Sequence, residues 1–129
     1  MYKKKVFISF DYDHDNDLKM LLVGQSRNAY SPFEISDMSI KHEIKEDWKA
    51  TASSRIKRCD VVIVLCGAYT NTASGVSAEV EIAQNGKIPY FLLKGRANSV
   101  CKKPLSAKST DIIYDWTWDN IKRLLEGVY

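Results

Sequence analysis

The stretch that decides the fold runs from Asp60 to Ala83 and reads DVVIVLCGAYTNTASGVSAEVEIA. It opens with an unbroken apolar run, Val61 to Cys66, most of which is β-branched. A continuous apolar strand of this kind is typical of the buried parallel strands of α/β sheets. A polar, glycine-bounded loop follows from Gly67 to Gly75, and the pattern then predicts a helix from Val76 to Asn85. The stretch therefore predicts a strand–loop–helix unit at the centre of an α/β protein.

Glu79 is the residue of this helix whose position needs an explanation. At about 100° per residue the apolar side chains share one arc, and Glu79 falls inside that arc, whereas Glu81 falls on the polar side. A carboxylate on the core-facing side of a helix is costly unless it is paired, hydrogen-bonded or open to a cleft. Two interpretations remain open here: a structural glutamate that pairs or reaches water, and a functional glutamate that faces a ligand.

The rest of the chain alternates between strands and helices. Strands are predicted at Val6–Phe10, Phe33–Ser36, Val61–Cys66, Pro89–Leu93 and Asp111–Tyr114. The first helix is predicted from about Asn16, with Asp15 or Asn16 as its N-cap and with Leu18, Leu21 and Leu22 facing inward. The second follows an apolar stripe of every fourth residue: Ile40, Ile44, Trp48, Ala52 and Ile56. Gly86 is predicted to end the third helix, and the last helix is predicted over Thr117–Leu125. This alternation predicts a doubly wound parallel sheet with helices on both faces and strand order 2-1-3-4-5. We expect a single domain over residues 1–129.

Composition excludes several classes of protein. The net charge of +3 is too small to indicate nucleic acid by itself, and no apolar run approaches the ~20 residues of a membrane span. The first predicted strand leaves no room for a signal peptide. The three scattered cysteines, Cys59, Cys66 and Cys101, indicate reduced thiols and a cytoplasmic protein. With two histidines, no spacing resembles a zinc site, and no metal is expected.

Charge is unevenly distributed along the chain. Four aspartates crowd the loop after the first strand, and five basic residues occupy a late segment that contains no acid: Asp11, Asp13, Asp15 and Asp17, then Lys94, Arg96, Lys102, Lys103 and Lys108. A solvated basic loop and an anionic partner or ligand are the two interpretations of the late segment.

The strand order predicts where a ligand would bind. Ligands of such sheets bind beyond the carboxyl ends of the strands, at the gap between strands one and three. The loops Asp11–Asp17 and Gly67–Gly75 flank this gap, and Glu79 lies in the first two turns after the second loop. Aromatic and hydroxyl side chains surround it: Phe10, Tyr12 and Tyr69, and Ser9, Thr70, Thr72 and Ser74. Rings that stack on bases, and a carboxylate that bonds ribose hydroxyls or stabilises positive charge at an anomeric carbon, suit a nucleoside ligand.

Spacing argues against other chemistries at this edge. Asp11, Asp13 and Asp15 begin like a calcium loop, but Asn16 stands where Gly is needed and Leu22 where Glu is needed. The third strand lacks the terminal aspartate of a phosphoacceptor domain, and a flavin phosphate would meet four aspartates. No paired nucleophile is in view for either histidine.

The residues also resemble a known family. Val6–Tyr12 (VFISFDY) resembles the first-strand motif of Toll/interleukin-1 receptor (TIR) domains. Three further segments resemble the ThsB-type TIR-like proteins of the Thoeris antiphage system: Phe33–Ser39 (FEISDMS), the helix with Trp48 and the stretch Asp60–Ala83. The resemblance implies a flavodoxin-like sheet and an enzyme that cleaves or cyclises NAD, releases nicotinamide and makes a cyclic or conjugated ADP-ribose signal.

The resemblance also implies roles for individual residues. Glu79 maps onto the family's catalytic glutamate, and NAD is the substrate, with no separate cofactor. The candidate substrate-binding residues are Ser9, Phe10, Asp11, Tyr12, Asp37, Ser39, Gly67, Tyr69 and Thr70. The loop Asp37–Glu46 maps onto the family's self-association loop, which implies a homo-oligomer or filament and a downstream effector protein, without nucleic acid or membrane. Because Gly75 stands where members commonly have Trp, the alternative is a non-catalytic TIR-like interaction module.

Overall fold

The computed structural model describes residues 3–38 and 48–127, with the side chains of residues 37 and 38 left out of the description. Strands and helices alternate along it: β1 Lys4–Ser9, α1 Asn16–Ser26, β2 Phe33–Met38, α2 Trp48–Lys57, β3 Val61–Cys66, α3 Ser74–Asn85, β4 Tyr90–Lys94, β5 Ile113–Asp115 and α4 Trp118–Leu125. A single 3₁₀ turn, Thr70–Thr72, precedes α3.

The five strands form one parallel sheet in the order β2-β1-β3-β4-β5. Ile8 of β1 pairs with Met38 on one side and with Ile63 of β3 on the other. The chain therefore leaves β1 towards one edge of the sheet and continues from β3 towards the other. The predicted order and the switch point between β1 and β3 are confirmed.

β3 explains why the sheet is covered on both faces. All six of its residues are buried, and successive side chains point to opposite faces. Val61, Ile63 and Leu65 pack in one cluster with residues of α1 and α4. Val62, Val64 and Cys66 pack in a second cluster with residues of α2 and α3. A strand buried on both sides cannot alternate between apolar and polar residues, which is why its sequence is continuously apolar.

Several element boundaries differ from the predictions. Leu21 is 60% exposed, so its predicted inward position was wrong, because α1 packs through Leu18 and Leu22, one turn apart. α3 begins at Ser74, two residues early, and Gly86 is its C-cap as predicted, although the left-handed residue that follows is Lys87, with φ of 57°. The predicted positions Ile40 and Ile44 of the second helix lie outside the described residues.

Within the described residues, no helix combines the length and the apolar character needed to cross a membrane. The longest of them, α3, has 12 residues, against the ~20 of a typical span.

Candidate functional site

A hydrogen-bonded pair, Ser9 and Glu79, lies buried at the switch point where the crevice was predicted. Ser9 is the last residue of β1 and Glu79 lies one and a half turns into α3. The Ser9 hydroxyl donates to Oε1 of Glu79 at 2.7 Å, and both residues are 0% exposed. Alternate residues of β1 face α3, and Phe7 packs in the cluster that contains the apolar face of this helix. Ser9, two residues on, therefore points at the same helix.

This geometry explains how the helix accommodates a carboxylate on its apolar face. Val76, Val80 and Ala83 are buried around Glu79, as the helical arc predicted, whereas Glu81 is exposed. A buried carboxylate needs hydrogen-bond donors to offset the loss of its hydration. Ser9 supplies one such donor from a residue 70 positions away in the sequence.

The loop after β1 turns back on itself through Asp11. Its Oδ1 accepts from the backbone N–H of Asp13 at 3.0 Å, and its Oδ2 lies 2.8 Å from Nδ1 of His14. The His14 ring stacks on the Tyr69 ring from the opposite loop, with centroids 4.3 Å apart. No nucleophile was predicted to pair with His14, and its contact with Asp11, three residues earlier, was not predicted.

The same loop contributes a second buried carboxylate, that of Asp15. Asp15 is 1% exposed, and its Oδ1 accepts from Nη2 of Arg96 at 3.1 Å. Burial raises the pKa of Asp15, and the hydrogen bond from Arg96 opposes that rise. Arg96 also holds both carboxylate oxygens of Asp17, at 2.9 and 3.0 Å, which lowers the pKa of Asp17 and raises that of the guanidinium.

Gly67 is the residue that lets Asp15 enter this position. A Cβ atom on Gly67 would lie 2.5 Å from Oδ2 of Asp15 and 2.6 Å from Oδ1, closer than such contacts occur. The carboxylate therefore occupies the space that a side chain at position 67 would need. The functional candidate Gly67 thus has an observed packing reason for lacking a side chain.

For Arg96, these contacts answer the question left open by the uneven charge. Arg96 of the basic segment neither stands alone in solvent nor awaits an anionic partner, because it binds Asp15 and Asp17 of the acidic loop. The two segments meet because both leave the carboxyl end of a parallel strand. Opposite charge on two loops at one sheet edge was a signal that the two segments meet, although it does not specify which residues pair.

The other sequence-predicted site residues fall into three groups. Phe10 and Thr70 are buried: Phe10 is 2% exposed within the core, and the Thr70 hydroxyl accepts from the backbone N–H of Gly67 at 2.7 Å. Tyr12 and Tyr69 are at the surface, 38% and 53% exposed. Asp37 is in β2 with its side chain outside the description, and Ser39 lies outside the described residues.

A separate cavity of about 480 Å³ lies away from this crevice, near the start of β4 and the end of α3. Its polar groups bond one another: Tyr90 donates to the carboxylate of Asp111 and accepts from the amide of Gln84. Burial and Asp111 raise the pKa of Tyr90. This cavity shares no lining residue with the predicted site, so its size does not bear on the function of Glu79.

Among residues 3–38 and 48–127, no group of three or more His, Cys, Asp or Glu side chains is arranged to hold a metal ion. The acidic loop in particular directs its carboxylates to His14 and Arg96.

Comparisons with known proteins were consistent with this architecture. The family model described as "Thoeris protein ThsB, TIR-like domain" matches residues 7–97, which include the second half of β1 and all of β3, α3 and β4. Among solved structures, a "Crystal Structure of a prokaryotic SEFIR domain" is similar with a TM-score of 0.60 and 21% identity, over 98% of this chain and 93% of that chain. At that identity the similarity shows the fold alone. A comparison with the curated proteins found no match.

Proposed function

This chain belongs to the family of TIR-like domains of the Thoeris protein ThsB, and from that premise we propose that it processes NAD in antiphage defence. In this proposal Glu79 acts at the bond between nicotinamide and ribose, and the product is a cyclic or conjugated ADP-ribose that signals to an effector protein. NAD is the substrate, and the step uses no further cofactor.

The observation that supports the proposal is the position of Glu79. A fully buried carboxylate, oriented by the Ser9 hydroxyl at 2.7 Å, lies at the switch point between β1 and β3. That is the place where ligands of doubly wound sheets bind. Enclosed carboxylates stabilise a developing positive charge more strongly than exposed ones, because water screens them less.

The proposed step breaks the bond between ribose C1′ and the ring nitrogen of nicotinamide. The bonding electron pair returns to the ring, which leaves as neutral nicotinamide. Positive charge develops on the ribose carbon and ring oxygen, where the carboxylate of Glu79 stabilises it. Water, or a nucleophilic group of the ADP-ribose moiety or of a second molecule, then forms the new bond and loses its proton to solvent.

Contact between Glu79 and a substrate requires a movement, because Glu79 and Ser9 are both 0% exposed. We propose that assembly into a homo-oligomer supplies this movement and so couples activity to a trigger. The predicted self-association loop, residues 37–46, lies almost entirely outside the described residues, so this part of the proposal rests on the family.

A non-catalytic interaction module is the second candidate function. The observation that favours it is the same burial, because a glutamate enclosed by apolar residues and bonded to a serine also fits a purely structural role. The two candidates differ in what loss of the Glu79 charge does to NAD turnover and to stability.

Comparing Glu79→Gln with Glu81→Gln tests the proposal. Nicotinamide release from NAD is measured with purified protein, with and without a crowding agent, alongside thermal melting. Glu79→Gln keeps the shape and removes the charge, so turnover should fall by about 100-fold or more with folding intact. Glu81→Gln, on the exposed side of the same helix, should remain at the wild-type rate. Equal rates for wild type and Glu79→Gln, or no turnover by wild type in any assembled state, would leave the interaction module as the function.

A further inference from the structure

An aromatic pair spans the two loops that flank the switch point. His14 comes from the loop after β1 and Tyr69 from the loop after β3, and their rings lie 4.3 Å apart at an interplanar angle of 28°. Both remain about half exposed: the His14 side chain by 47% and Tyr69 by 53%. The pair therefore places two half-exposed aromatic rings beside the switch point, at the same end of the sheet as the buried Glu79.

The His14 ring and the Tyr69 backbone are each held by contacts within their own loop. Nδ1 of His14 lies 2.8 Å from the carboxylate of Asp11, which is itself only 6% exposed. The carbonyl of Tyr69 accepts from both the backbone N–H and the hydroxyl of Thr72, at 3.0 and 2.8 Å. A surface fixed before the ligand arrives loses little conformational entropy when it binds.

Part of the negative charge around the pair is offset within the protein. The four aspartates of the loop after β1 would repel a pyrophosphate most strongly if all of them were unpaired. Arg96 binds Asp15 and Asp17, and Asp11 is hydrogen-bonded to His14. The single guanidinium of Arg96 therefore reduces, without cancelling, the negative charge next to the aromatic pair.

We propose that the exposed face of Tyr69, backed by His14, is the stacking platform for the adenine base of the dinucleotide. This inference rests on the proposed function, because it takes NAD as the ligand and Glu79 as the group at the nicotinamide ribose. If the nicotinamide ribose lies at the buried Glu79, the half of the molecule that reaches the half-exposed rings carries adenine. A base stacked on an aromatic side chain gains affinity through its π-face, without hydrogen-bond readout.

The platform makes a prediction that separates the two halves of the substrate. Binding of NAD and of nicotinamide mononucleotide, which lacks adenine, is measured by calorimetry in the Glu79→Gln background so that neither is cleaved. Tyr69→Ala should raise the Kd of NAD by about 10-fold or more and leave that of the mononucleotide unchanged. Tyr69→Phe keeps the aromatic face and should restore NAD binding. His14→Ala removes the backing ring and should have a smaller effect of the same sign.

Tyr30→Ala is the matched control. Tyr30 is 88% exposed in the connection between α1 and β2, at the other end of the sheet, and its removal should change neither Kd. Thermal melting of each variant shows that it is folded. An unchanged Kd for NAD in Tyr69→Ala, equal weakening of both ligands, or no NAD binding by the parent protein would each overturn the platform.

Failure of the platform and failure of the proposed reaction give different results. A protein that binds NAD through Tyr69 but never releases nicotinamide retains the platform and loses the enzymatic function. A protein that releases nicotinamide, and whose affinity for NAD is unaffected by Tyr69→Ala, retains the enzymatic function and loses the platform.

Discussion

Two of the buried carboxylates at one end of the sheet, those of Glu79 and Asp15, are held by different chemistry. Glu79 of α3 accepts a hydrogen bond from the neutral hydroxyl of Ser9, whereas Asp15, at the N-cap position of α1, forms an ion pair with Arg96. The two helices pack on opposite faces of the sheet. The contrast shows that burial alone does not identify a functional acid. Asp15 uses its charge to join two loops, whereas Glu79 forms a buried hydrogen bond with Ser9 at the switch point.

The largest expected effect is on turnover, and it separates these two acids. Glu79→Gln should slow nicotinamide release by about 100-fold or more, whereas Asp15→Asn should change it by less than about fivefold, since we assign Asp15 no contact with the reacting atoms. Steady-state release of nicotinamide at saturating NAD measures both. Comparable losses of turnover in the two variants would mean that the Asp15–Arg96 ion pair positions the site. Glu79 and Asp15 would then not differ in their importance for catalysis.

Removing the guanidinium should produce the largest loss of stability. Arg96→Met leaves the carboxylate of Asp15 buried without its cationic partner, which should cost about 2 kcal/mol of unfolding free energy. The expected cost is smaller than for a fully buried ion pair, because Arg96 is partly exposed and water screens its charge. Urea unfolding at pH 7 measures it. Lys102→Met removes an exposed cation of the same segment and should lie within about 0.5 kcal/mol of wild type.

A methyl group at Gly67 should destabilise the protein by steric contact. The Cβ of Gly67→Ala would meet the carboxylate of Asp15, and relief by movement should cost about 1–2 kcal/mol. Gly24→Ala is the matched control, because nothing lies within 4 Å of its Cβ position in α1, so it should stabilise by about 0.5–1 kcal/mol. Combining Gly67→Ala with Asp15→Ala should recover most of the steric loss; purely additive effects would show that the contact is not its source.

The smallest expected effect is a pH dependence specific to Asp15. Burial raises its pKa above the ordinary 3.8, so in the window between these two values the folded chain holds more protons than the unfolded chain. Stability contributed by this group therefore falls as pH rises through that window. Wild type should lose stability relative to Asp15→Asn between pH 4 and pH 7, as measured by urea unfolding. Asp17, whose pKa is lowered by hydrogen bonds from Arg96, is present in both wild type and Asp15→Asn. Its contribution to the pH dependence of stability therefore cancels, to first order, when the two proteins are compared. A difference that is independent of pH, or that changes in the opposite direction, would contradict the assignment.

Predictions made from local patterns were the accurate ones. The continuous apolar run of β3, the strand–helix alternation and the arc that contains Glu79 each depend on neighbouring residues, and the structure confirms them. Predictions of whether a residue at the edge of an apolar stripe is buried or exposed were less accurate. Leu21 fits the apolar stripe of α1 as well as Leu22 does, but only Leu22 meets the sheet.

The partners of the charged and polar residues could not be predicted in the same way. Ser9 and Glu79 are 70 residues apart, Asp15 and Arg96 are 81 apart, and nothing in the intervening sequence specifies either pair. The His14–Tyr69 stack likewise depends on two loops meeting at one sheet edge. Strand order predicted that the loops after β1 and β3 meet. It predicted neither that Arg96, after β4, reaches the first of these loops nor which side chains come into contact.

The sequence by itself determined the doubly wound sheet, its switch point and the presence of an acid on the inner side of α3. Periodicity and burial are properties of a single strand or helix, so they can be deduced from consecutive residues. Only the tertiary structure decided that Glu79 bonds a serine, that Asp15 pairs with an arginine, and that His14 lies against Tyr69. Hydrogen bonds and stacking need contact within a few ångströms, and only the folded chain brings residues so distant in sequence that close.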